Sequence, residues 1–471
     1  MHATPPHQDV LDRPPPWPLE LEPGELEPRM AWARRQGHPR YPWPEVPIGA
    51  WRAALGRIEE VTRALLAGEQ AALPVPDRPA ARALGVAAFT SGMGPLLGLN
   101  AAAGELHLEG ERADELTAVL AAHLVHGRAR AARIHGELTR ASRVLAAAGI
   151  RPLVIKAGHT ARVYFPEPGT RPAADLDLVV EPATWELAEA ALNEAGYTRR
   201  RGQRRPPRSE WLAPGAGTAS GSRLRSLELC HVDDPCPLDL HASLDRDFFG
   251  VRTVRLPSPR RPFRELGLSA SSEGSIPSPS GQPSRQGRVA TAPSPAGETP
   301  PTAPTVDVLE QPALLLLHLL HASEGLHGLT LVRLVELVLM ARRDRASGAL
   351  DDAGALALLE ESGAARFVYP ALTLAERLAG GTFPPALLEA AAREATPRML
   401  RLFQGMSPAH AQRPTRSSLA ESFMWCATPG EWVGRALHMA LPAPAGSLPA
   451  LARLYGERAT RVLRGRVGLG G

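Results

Sequence analysis

Lysine is nearly missing from this chain. Of its 53 Lys and Arg residues a single one is lysine, Lys156. Arginine has taken over wherever a cation of either shape will serve. The surviving ammonium therefore marks a place where a compact point charge suits better than a planar fork. Cysteine is scarce as well. Cys230, Cys236 and Cys426 are too few for a disulfide framework, and no further ligands stand beside them at zinc spacing, so reduced structural thiols are expected. Apolar runs are short: Ala313–Leu317 ends at once in His318, far below the ~18 residues of a membrane span. The N-terminus lacks a basic-then-apolar leader. The expectation is a cytoplasmic protein without a membrane partner. An excess of either charge is also lacking. The formal balance of +4 admits a nucleotide or nucleic-acid partner without demanding one.

Proline and glycine, at 48 and 43 residues, are plentiful, and they cluster. Residues 1–48 are Pro-rich and read as a disordered arm carrying Trp17, Trp32 and Trp43. Residues 256–306 turn to Ser, Pro, Gly and Thr and read as a disordered linker or insertion. Between and after them the pattern is globular. A helical region is expected over 49–150. Its long helix, about 112–148, carries Leu116, Val119, Leu120, Leu124, Ile134, Leu138 and Leu145 on one stripe and stops at Gly149. His123, His126 and His135 on that helix read as core-edge or surface histidines. An α/β core is expected over 151–255, and a second helical region over 307–471, with helices near 351–362, 364–379 and 385–395 and a Leu/Arg-rich tail. The fold class is therefore α+β.

The informative stretch is Asp175-Leu-Asp-Leu-Val-Val180. As a strand of period two it puts Asp175, Asp177 and Val179 on one face and Leu176, Leu178 and Val180 on the other. Two carboxylates about 7 Å apart on a buried-looking strand need a positive partner. A divalent cation such as Mg²⁺, which takes carboxylate oxygens and leaves sites for phosphate, answers that need. Upstream lie an apolar strand (Leu153, Val154, Ile155), then Lys156-Ala-Gly-His-Thr160, a short helix and the loop Pro166–Pro172. That order suits a phosphate-and-metal site. Residues 227–243 read as two strands around an Asp-Asp-Pro turn, the second carrying Asp239 and His241. If this strand lies beside 175–180, strands roughly 4.8 Å apart gather three carboxylates, enough for two metals about 3.5–4 Å apart.

The run Lys156…Gly158-x6-Phe165-Pro-x-Pro-x2-Arg171-Pro-x2-Asp-Leu-Asp-Leu-Val-Val180, the helix ending Glu194-Ala-Gly-Tyr197, and then Leu238-Asp-Leu-His241 resemble the bacterial uncharacterised nucleotidyltransferase family, of the DNA polymerase β-like nucleotidyltransferase superfamily. The resemblance covers about 85–400, discounting the insertion, and is densest over 150–245. Lys156-Ala-Gly158 stands where that family usually has Lys-Gly, and the superfamily's Gly-Ser pair is replaced by Gly158-His159.

The resemblance implies a small mixed sheet backed by helices, with Mg²⁺-dependent transfer of NMP from an NTP. Asp175, Asp177 and Asp239 would then be the catalytic and metal-binding acids, with His241 in support. Lys156, the N–H groups near Gly158 and the Thr160 hydroxyl would cradle phosphates. Arg171 would either clamp a phosphate or fix its loop by pairing with Asp177. The acceptor stays open among small molecule, protein and RNA. The arginine run 199–208 reads as a solvated loop that could guide a polyanion, with nucleic acid not favoured because no aromatic stacking platform accompanies it. In the family's Arg-x-x-x-Asp position this chain has Arg333 and Glu336, and His318, His321 and His327 could face the site. The rival reading is a degenerate nucleotidyltransferase-like module that binds a nucleotide or protein without turnover.

Overall fold

Short strands from both sides of the Pro/Ser-rich stretch pair into one mixed sheet. In this computed structural model residues 25–201, 208–214, 234–264, 306–414, 421 and 423–440 are described. The first part is helical: α1 (Leu26–Arg35), α2 (Ile48–Leu66), α3 (Arg78–Thr90), α4 (Gly94–Ala102) and the long α5 (Ala113–Ala147). Among them lies a parallel ribbon of β1 (Ala71–Pro74) and β2 (Leu106–Glu109). The stripe of α5 that the periodicity singles out is buried, and Gly149, with φ 73°, ends the helix in the left-handed region.

The chain then runs through β3 (Leu153–Ile155), α6 (Ala157–Val163), β4 (Leu176–Val179), α7 (Trp185–Glu194), β5 (Thr198–Arg201), β6 (Arg208–Leu212) and β7 (Leu238–His241). A hairpin, β8 (Arg246–Phe248) and β9 (Arg252–Val254), leads to β10 (Arg260–Pro262) and β11 (Asp307–Leu309). The strand order in the sheet is β10-β11-β3-β4-β7-β6-β5. β11–β3 and β4–β7 are parallel pairs; the other neighbours are antiparallel. Every residue of β3, β4, β7 and β11 is buried, so the centre of the sheet is covered on both faces. Helices α8 (Ala313–Glu324), α9 (Leu331–Ala346), α10 (Asp352–Glu361), α11 (Ala365–Leu378), α12 (Pro385–Glu394), α13 (Pro397–Gln404) and α14 (Pro429–Ala440) follow. The chain is α+β, as its patterning implied.

Three boundaries differ from the sequence reading. Residues 25–48 are a packed segment, not an extended arm. Arg29, Tyr41 and Trp43 are buried, Arg29 pairs with Glu25 and Glu45, and the Tyr41 hydroxyl donates to the Val46 carbonyl at 2.9 Å. Two large aromatics bury enough area to outweigh the proline content that suggested disorder. Residues 256–264 belong to the fold, with Leu256 and Phe263 buried around β10. The region expected to resume as helix at 307 begins instead with strand β11. Residues 1–24, 202–207, 265–305 and the 447–466 tail lie outside the described residues, as do Cys230 and the first strand of the hairpin expected over 227–243.

Candidate active site

Parallel pairing of β4 with β7 sets Asp177 directly opposite Asp239 and Val179 opposite His241. With side chains alternating along each strand, Asp177, Asp239 and His241 share one side of the sheet, while Leu176, Leu178, Leu238 and Leu240 are buried on the other. One ligand atom from each of Asp177, Asp239 and His241 lies within 4.8 Å of the other two, and all three residues are buried. His241 Nε2 is 3.0 Å from Asp177 Oδ1. Asp175 sits just before β4 and is half-buried. Two carboxylates and an imidazole nitrogen converging this closely are a donor set that fits one divalent cation.

A cation reaches each of the two central acids. Lys156 follows β3 directly with φ 55°, a conformation uncommon outside glycine, and its Nζ donates to Asp177 Oδ1 at 2.6 Å. Arg208 opens β6, where antiparallel pairing puts it opposite His241, and its Nη2 donates to Asp239 Oδ2. Burial by itself would raise Asp177; the Lys156 ammonium and His241 outweigh it and hold that carboxyl well below the usual range. Burial, with the Asp177 charge beside it, pushes Asp175 up to about 6. His241 moves down, because burial outweighs the pull of Asp177, so its imidazole is neutral at pH 7 and available as a ligand.

Behind Lys156 lies a second polar cluster, centred on Glu336 of α9. Arg171 forks onto it, Nε to Oε1 and Nη2 to Oε2, both at 2.8 Å. The Thr160 hydroxyl donates to Oε1, with the Lys156 carbonyl oxygen 2.9 Å away, and His318 Nδ1 stands 3.7 Å from Oε2. Burial alone would raise Glu336, but Arg171 and His318 carry it well below the usual carboxylate value.

This cluster corrects two expectations. Arg171 is bonded to Glu336, not to Asp177, because α9 brings in a buried carboxylate that matches the guanidinium's fork. Thr160 is fully buried and its hydroxyl is committed to the same carboxylate, so in this arrangement it does not face a phosphate. Gly158 also serves packing: a Cβ there would come 2.7 Å from Val154 Cγ2 and 3.1 Å from Leu176 Cδ1, so the glycine lets α6 sit down on β3 and β4, which concerns its missing side chain and not the N–H group expected to meet a phosphate. Of the expected phosphate turn, Lys156 is the group that reaches the acids. His321 is pushed well down by burial, with the charges of Lys156 and Arg333 adding to it. The side chain of His327 lies outside the described residues.

Two residues that matter here, Arg208 and Arg130, escape a reading of the sequence alone, as does the pairing of Glu336 with Arg171. Arg208 hides in the arginine run, in which Arg199 pairs with Glu189 and Arg200 with Glu210. Glu336 lies far along the chain from the acids it supports. Arg130 on α5 is buried, and its guanidinium donates to the carbonyls of Ala173 (3.2 Å), Ala174 (2.5 Å), Asp234 (2.6 Å) and Pro235 (2.8 Å). It thereby ties together the chain entering β4 and the chain entering β7. One signal could have found it: Arg130 precedes Ile134 by one helical turn on the buried stripe of α5, where a charge is out of place.

Compared with known proteins, residues 88–252 match the model of a family described as an uncharacterised nucleotidyltransferase. No curated protein and no solved structure matches the chain. The matched segment holds Lys156, Asp175, Asp177, Arg208, Asp239 and His241, whereas Glu336 falls outside it. Residues 88–252, with the acids and their counter-cations, are thus similar to the uncharacterised nucleotidyltransferase family over that part of the chain.

Proposed function

We propose that this chain is a metal-dependent nucleotidyltransferase that moves an NMP from an NTP to the hydroxyl of an acceptor. The observation that carries the reading is the register of β4 on β7, which makes Asp177 and Asp239 direct neighbours with His241 beside them. Asp177, Asp239 and His241 would hold a divalent cation, with Mg²⁺ the proposed metal and Asp175 a further carboxylate at its edge. Held by these residues, a divalent cation would supply neutralisation of the charge that develops on the donor's phosphates. Asp239 is the residue proposed to take the proton of the acceptor hydroxyl. Lys156 supplies a compact positive charge for a phosphate oxygen. Arg171 is proposed to fix the 166–172 loop through Glu336 rather than to touch the donor.

One observation favours the rival reading, a module that binds without turnover: the Thr160 hydroxyl is committed to Glu336, which takes it out of the phosphate turn. Thermal-shift titration with each NTP, with and without Mg²⁺, separates the two. A transferase site predicts a Mg²⁺-dependent rise in Tm with at least one NTP, absent in Asp177→Asn, since a ligand of the folded state stabilises it by mass action. A folded protein that shifts with no NTP would leave the binding module as the better account.

A further inference from the structure

We propose that Lys156 and Arg208 are exchangeable counter-cations: they hold Asp177 and Asp239 until a divalent cation takes their place, and then turn to the donor's polyphosphate. This rests on the nucleotidyltransferase reading above and adds to it an order of events. Buried carboxylates cannot be left bare, because an unpaired charge in a low-dielectric interior is strongly unfavourable. Each central acid meets that demand with one basic side chain, Lys156 Nζ at 2.6 Å from Asp177 Oδ1 and Arg208 Nη2 on Asp239 Oδ2.

The oxygen that Lys156 occupies is also the one that faces His241 Nε2 at 3.0 Å, and so lies at the mouth of the metal-binding set. A divalent cation about 2.0–2.1 Å from that oxygen would share its space with the ammonium and repel it. Both cations have somewhere to go. They sit at the ends of long flexible side chains, and Arg208, at 39% side-chain exposure, already borders solvent. Their departure changes the charge of the site. Three acids, Asp175 included, with two cations leave the site slightly negative; adding a divalent ion makes it net positive, which is what a polyphosphate requires. Metal and polyphosphate should therefore each tighten the binding of the other, as linkage demands.

The exchange predicts effects of opposite sign from one substitution. Mn²⁺ alone, followed by the loss of its free paramagnetic signal, would be titrated into the full chain and into Lys156→Met and Arg208→Met. Inorganic tripolyphosphate would then be titrated at saturating Mn²⁺. Removing the competing cation should tighten Mn²⁺ about tenfold and weaken tripolyphosphate by a similar factor. A permanent structural ion pair predicts otherwise: Mn²⁺ affinity unchanged or lower in a variant whose circular dichroism is native would overturn the proposal while wild-type binding upholds the metal site. Failure of every form, wild type included, to bind Mn²⁺ would overturn both. If Lys156→Met does not fold, Arg208→Gln, on the more exposed partner, reads the same exchange at Asp239.

Discussion

Asp175 has no hydrogen-bonded partner among the described residues, yet it stands beside two acids that do. Its carboxyl, pushed up to about 6 by burial and by Asp177, makes it the strained member of the set. The sign of the effect on stability is fixed. The folded form keeps this proton to about pH 6, whereas the unfolded chain releases it near its ordinary value of about 4. Between those values the native state binds more protons than the unfolded one, so stability falls as pH rises from about 4 to about 6 and then levels. Asp175→Asn removes the penalty. In chelator-treated protein it should raise stability at pH 7 by about 2 kcal/mol, with no gain at pH 4, measured by urea unfolding at both values. The same substitution should weaken Mn²⁺ binding, an exchange of function for stability common at sites that gather like charges. Wild-type stability at pH 7 in the variant would mean that Asp175 is better solvated than its surroundings suggest. Asp175 and Asp177 could be singled out from sequence because alternation along a strand is local. Arg208 could not, since nothing in an arginine run tells which member an antiparallel neighbour will turn toward Asp239.

Among the elements, α5 and α9 do work that the β-strands cannot do for themselves. Strand register brings Asp177 opposite Asp239, but the segments entering β4 and β7 share no ladder of their own, and Arg130 of α5 joins them through four carbonyl oxygens. Arg130→Met would strip those buried carbonyls of their donor, an expected loss of about 2–4 kcal/mol in urea unfolding. Because the anchor is common to both strands, Mn²⁺ affinity should fall as well. Arg130→Lys should recover little of either, since an ammonium cannot span the positions that a planar fork reaches. A variant that lost stability but bound Mn²⁺ as tightly as wild type would show that the ladder alone aligns the acids. These elements mark where the sequence was legible. The stripe of α5, its glycine stop, α7 with its flanking Pro182 and Gly196, and the acidic strand follow from short-range patterns. The Arg171–Glu336 fork did not, because its partners are 165 residues apart and only tertiary packing joins them. The bond of the Thr160 hydroxyl to Glu336 escaped for a related reason: a threonine at such a turn suits a phosphate and a buried carboxylate equally well, and the neighbours decide which.

For the molecule as a whole, the sheet that carries the site closes across the Pro/Ser-rich stretch. β10 and β11 pair antiparallel with Pro262 opposite Asp307, and the Phe263 N–H donates to the Val306 carbonyl at 2.9 Å. Composition placed a boundary at 255 and another at 306, because low complexity ends a pattern whether or not the chain returns to the same sheet. The pairing makes the two flanks one hairpin, so residues 265–305 span a gap that a short turn could close. Replacing them with a four-residue Gly/Asn turn shortens the loop about tenfold. The closure entropy this saves is up to about 2 kcal/mol, growing only with the logarithm of length. The shortened chain should therefore melt no lower than wild type and bind Mn²⁺ with unchanged affinity, since Asp177, Asp239 and His241 lie on strands that the excision leaves intact. A lower Tm would assign stabilising contacts to residues 265–305. An unchanged Tm with weakened Mn²⁺ binding would instead couple the far edge of the sheet, through β11 and β3, to the Lys156 turn that follows β3.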